Sequence, residues 1–154
     1  DQSTMTIQVS LDDLPETVSL HYGTSAYIIT SAGILSPRVT NVEVMFDQVI
    51  VEPNPVDNNT NEPKQQHTII RTRLGKSACK ELKANQNLTI LWPVNSYVST
   101  NGETGGKREN NEEKDTMVLS LIVDGRLLTK TPPEGGGEIE ITPLSAMQHA
   151  PRTL

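Results

Sequence analysis

Thr4-Met5-Thr6-Ile7-Gln8-Val9-Ser10-Leu11 decides the fold class. Apolar residues stand at 5, 7, 9 and 11 and polar ones stand between them. Successive side chains of a strand point to opposite faces, so this period of two marks a strand with one buried face. Asp12-Asp13-Leu14-Pro15 ends the pattern, because Pro15 has no N–H and restricts the residue before it. Working outward, the same chemistry recurs. The chain holds 12 Val, 11 Ile and 17 Thr, together 40 of 154 residues, against six Ala. β-Branched side chains fit a pleated surface and lose rotamer freedom in helices, so the chain reads as mainly β.

Further strands are expected at 18–22, stopped by Gly23, and at 26–30, where both faces are apolar. The stretch 38–52 is the longest. Val42, Val44 and Phe46 share one parity, Val49 and Val51 have the other, and a bulge or bend near Asp47-Gln48 would reconcile them. Strands are also expected at 68–74, at 88–92 with a continuation over 94–98, and at 138–142. Asp124-Gly125 lies between the β runs 117–123 and 126–129. Asp-Gly in that position predicts a two-residue hairpin turn. Residues 76–84 carry the only pattern read as a helix, two turns long and therefore dependent on packing against a sheet. Pro53 to His67 has one aliphatic residue, and Ser99 to Thr116 has no aliphatic or aromatic residue in 18 positions. Both are expected to be long polar loops. Residues 143–154 read as a loosely held tail.

The length of 154 residues favours one domain. Eight or nine short strands without βα alternation predict an all-β fold. The expected architecture is an antiparallel β-sandwich, Ig-like or jelly-roll-like, with one short helix. The net charge of −6 argues against a nucleic-acid binder, which needs a basic face for phosphates. No apolar run is long enough for a membrane-spanning helix. A single cysteine, Cys79, allows no intrachain disulfide.

Catalytic patterns fail one by one. Gly75-Lys76-Ser77 resembles the end of a phosphate-binding loop, but position 70, where a glycine is required, is Ile70. His21, His67 and His149 are far apart and have no partner at metal-ligand spacing. No G-x-S-x-G elbow is present, and Cys79 reads as a small buried thiol. Asp12-Asp13 and Glu112-Glu113 are adjacent carboxylates, which on a strand face opposite ways. Asn58-Asn59-Thr60 and Asn87-Leu88-Thr89 match the N-glycosylation acceptor pattern.

No enzyme, cofactor or metal is therefore expected. The expected function is that of a structural assembly subunit of a surface filament of the pilus type or of a particle. The segment 4–11 can pair within its own sheet, or residues 1–14 can act as an exchange strand, with Met5, Ile7, Val9 and Leu11 filling a groove on a neighbouring copy. Partners would be copies of the same chain and, at most, a host surface ligand. The setting would be extracellular, on a cell surface or on a virion. The competing expectations are a viral capsid, spike or phage-particle β-domain, and a carbohydrate or protein recognition module built on Trp92, Tyr97 and the 99–116 loop, against which Trp92 in Leu91-Trp92-Pro93 reads first as a core residue.

Overall fold

The computed structural model describes residues 5–31, 37–51, 65–93 and 119–150, the side chains of Met5, Val51 and Gln65 aside. In chain order the described elements are β1 (Met5–Val9), α1 (Leu14–His21), β2 (Ser25–Thr30), β3 (Arg38–Val51), β4 (Gln65–Leu74), α2 (Lys76–Lys80), β5 (Asn87–Trp92), β6 (Ser120–Leu127) and β7 (Gly137–Ala150). All seven strands belong to one antiparallel sheet in the order β1-β7-β4-β3-β2-β5-β6. An additional β6–β7 pairing closes six of them into a ring. The fold is thus all-β, as the alternation predicts, but it is a closed barrel and not a sandwich.

Closure is the work of β7. Its first half, Gly137 to Ile141, pairs with β4, and from Ile141 to His149 it pairs with β6. A sandwich keeps two sheets with separate edges; one 14-residue strand shared between both ends of the sheet removes those edges. The register against β6 shifts at Asp124/Gly125, where Leu144 is the extra residue on β7. That bulge bends the strand around the ring. Residues 143–150, expected as the start of a loose tail, are the second half of this closing strand.

Alternate residues of every ring strand point inward. Ile28, Ile70, Ile90, Val123, Ile139 and Ile141 are all at most 1% exposed and fill the interior. Each contributes roughly 1.5–3 kcal/mol of burial before ordering costs. Short helices close the two ends. At one end α1 buries Leu14 and Val18, and Tyr22 follows on the same side at i, i+4 and i+8. At the other end α2 buries Ala78 and Cys79, with Leu82 just beyond.

Three local expectations are corrected. Residues 18–22, read as a strand, belong to α1 and its C-terminal turn. Pro15 sits in the first helical turn, where its missing N–H costs nothing. The N–H of Gly23 donates to the carbonyl of Val18, with φ at +88°, a left-handed value that glycine adopts freely. Asp124-Gly125 is no hairpin turn but the middle of β6, which runs through it unbroken against β5. The bulge foreseen near Asp47-Gln48 is absent, because the β3–β4 register is continuous from Val44 to Val51. The expected loop tip at 99–116, the possible strand at 94–98, Tyr97, and most of the 53–67 loop lie outside the described residues.

Candidate functional site at the N-terminal edge strand

The strand that opens the chain lies outside the ring. β1 pairs antiparallel with β7 alone, Met5 opposite Ala150 through Val9 opposite Ala146. It takes the same edge of β7 that β4 occupies further back, since the opposite edge carries β6 along the same residues. Of the four residues expected to anchor it, Val9 is buried in the core and Leu11 packs part-buried against that core. Ile7, of the same parity, is 40% exposed. Met5 stands on the ladder, but its side chain is not among those described. Along β1, therefore, Val9 is used by the core and Ile7 is left exposed.

The turn that follows is held by few bonds. The Asp13 N–H donates to the Ser10 carbonyl at 3.0 Å, and the Asp12 N–H donates to Ser10 Oγ at 3.2 Å. Thr68 Oγ1 on β4 donates to the Leu11 carbonyl at 3.4 Å. Asp13, at the N-cap position, makes no side-chain cap.

A lock at the same end ties α1 to the sheet. The Tyr22 hydroxyl donates to the Leu119 carbonyl and accepts from Gln148 Nε2, each at 3.0 Å. Burial raises the Tyr22 pKa above its ordinary 10.0, opposed by the Gln148 hydrogen bond. An acid whose folded pKa is raised lends stability that is complete below its unfolded pKa and is lost as pH climbs through the folded one. Tyr22→Phe should cost about 1–3 kcal/mol at neutral pH through the unpaired carbonyl and amide. It should also flatten the fall in melting temperature above pH 10 relative to wild type. Parallel alkaline profiles for the two proteins would refute the assignment.

Among the described residues no three His, Cys, Asp or Glu side chains come close enough to hold a metal. His21 and His67 are exposed on separate elements, and His149 Nδ1 lies 3.4 Å from Thr6 Oγ1 across the β1–β7 ladder. Cys79 is buried, its thiol directed at the Leu74 carbonyl at 3.7 Å. The ionic groups pair with one another on the outside of the barrel. Arg71 contacts Asp47 and reaches Glu140 at 3.1 Å and Glu138 at 3.7 Å. Arg38 binds both carboxylate oxygens of Glu81 and the Ser77 hydroxyl, and its hydrogen bond to Glu81 holds that carboxyl below the usual glutamate range. Such exposed pairs add little stability.

Trp92 is 1% exposed, the core position that its place in Leu91-Trp92-Pro93 predicts, and it offers no face to a ligand. Its ring stacks on Phe46 at 6.4 Å, and Nε1 donates to the Gly23 carbonyl at 3.0 Å. Comparison with protein-family models, with curated proteins and with solved structures finds no match to the chain.

Proposed function

We propose that this protein is a non-enzymatic structural subunit of a surface filament or particle, which associates with copies of itself by exchanging β1. The observation that carries this reading is the position of β1. It lies outside a ring that closes without it and is attached by its ladder to β7, by Val9 in the core and by Leu11 part-buried against it. A strand in that position forms the same hydrogen bonds whether β7 belongs to its own chain or to a neighbour's. The balance then rests on the Ser10–Asp13 turn and on subunit concentration. Strand addition of this kind supplies affinity through the main chain and specificity through alternate side chains, here Met5, Ile7, Val9 and Leu11. The reading assigns the protein to a cell or virion surface, where such filaments and shells are built.

Deletion of residues 1–9 tests it. The ring should stay folded by circular dichroism, while assemblies seen by negative-stain microscopy and light scattering should disappear. A synthetic peptide spanning residues 1–14 should bind the truncated protein but not the full chain, whose β7 edge is already occupied. A truncated protein that assembles like the full chain would overturn the reading, as would a full chain that stays monomeric at every concentration.

A further inference from the structure

β1 leaves one of its own edges open. It pairs with β7 along one side, and among the described residues no strand pairs with the other. Thr68 of β4 meets the Leu11 carbonyl, past the end of the strand. An open edge presents a row of backbone N–H and C=O groups that a further strand can complete, and proteins guard such edges with a charge, a proline or a bulge. Met5-Thr6-Ile7-Gln8-Val9 has no charged residue and no proline, and its register with β7 runs unbroken. Thr6, Ile7 and Gln8 are exposed. This edge is unguarded.

We infer that β1 pairs antiparallel with β1 of a second copy, about a two-fold axis normal to the sheet at Ile7. The open groups are main-chain donors and acceptors along an extended segment, and another strand completes them as a ladder. A two-fold contact must be complementary to itself. An axis at Ile7 sets Ile7 opposite Ile7, Met5 opposite Val9 and Thr6 opposite Gln8, so every residue of β1 finds a partner of its own parity, as a ladder requires. Ile7 shares the face of the buried Val9 yet is 40% exposed, and across this axis it covers its own counterpart. Thr6 and Gln8, both polar, meet on the other face. Copies with a net charge of −6 come together along a strand that carries none of it. The contact is small, well below the ~800 Å² that each partner of a standard interface buries, so a dissociation constant of roughly 100 μM is expected. The outer edge of β1 is open whichever copy supplies the β7 on its inner side, so the inference does not rest on strand exchange.

Cysteine crosslinking of the full chain reads this register. Residues directly opposite in an antiparallel ladder have Cα atoms about 4.5–5.5 Å apart, within reach of a disulfide. Ile7→Cys alone should therefore crosslink to its own counterpart under mild oxidation with copper–phenanthroline. Thr6→Cys alone and Gln8→Cys alone stand about 8 Å from theirs and should not, while a mixture of the two proteins should. In sedimentation velocity up to about 1 mM the full chain should dimerise. Ile7→Asp sets two carboxylates opposite one another at an exposed position. It should weaken the dimer about tenfold or more and leave the circular dichroism spectrum unaltered. A chain that stays monomeric throughout, or a dimer indifferent to Ile7→Asp, would overturn the inference. So would a mixture of Ile7→Cys and Gln148→Cys proteins that crosslinks while Ile7→Cys alone does not. That last result would leave strand exchange standing, because it places β1 on a neighbour's β7. A crosslink at position 7 alone, with none between 7 and 148 of different copies, would support edge pairing and count against exchange.

Discussion

Gly125→Ala should lower the unfolding free energy by about 1–3 kcal/mol, although the residue lies in an Asp-Gly pair that sequence patterns associate with tolerant turns. A Cβ at this position would stand 2.7 Å from Cγ2 of Ile141 and 3.0 Å from the Thr142 carbonyl oxygen. Gly125 points into the barrel, between Val123 and Leu127 on the inward face of β6, and the space a side chain would need is filled by Ile141. Gly125→Asn should cost more, since it adds an amide without a partner to an apolar interior, roughly a further 1–3 kcal/mol. A turn would predict the opposite, because asparagine accepts the left-handed conformation that Asp-Gly turns require. Urea unfolding of the two variants separates the cases. In a double-mutant cycle, Ile141→Ala should relieve part of the Gly125→Ala penalty, because it removes the methyl in the way. Additive effects would show that the close approach is not what matters.

Trp92→Ala should cost about 3–5 kcal/mol, the range for truncating a buried large aromatic side chain. The loss has two parts. The ring leaves a cavity beside Phe46, and the Gly23 carbonyl at the end of α1 loses its donor. Trp92→Phe keeps most of the volume and loses the bond, so its cost should fall between wild type and Trp92→Ala. Trp92 is the chain's one tryptophan, and its emission should be blue-shifted when folded and move to the red in urea. A Trp92→Ala protein with an unchanged urea midpoint would mean that the ring does not sit in the core. It would also reopen the recognition surface.

Where a residue's face could be read from its immediate neighbours, the sequence was legible. The alternation over 4–11, the runs that became β2 to β5, and their stops at Gly75 and Pro93 all encode which side of a strand is buried, and that is local information. The stretch Val18 to Tyr22 was not legible, because it satisfies two periods at once. As a strand, Val18, Leu20 and Tyr22 share a face; as a helix, Val18 and Tyr22 do, joined by Leu14. Packing over the barrel end chose the helix and left Leu20 59% exposed. Val49 misled for a related reason. It lies beyond Phe46, where β3 runs past the filled core, and parity there no longer distinguishes a core face from a solvent face. For the candidate site, the sequence placed an amphipathic strand at 4–11 but could not name its partner. That partner, like the closing of the ring, depends on β7 meeting β4 along one half and β6 along the other. Pairings between residues as distant as Met5 and Ala150 follow from the register of the whole sheet, which no local period contains. The β class is therefore a property of the side-chain pattern alone. The barrel, the glycine pressed against Ile141 and the edge on which β1 lies exist only once the strands have been brought together.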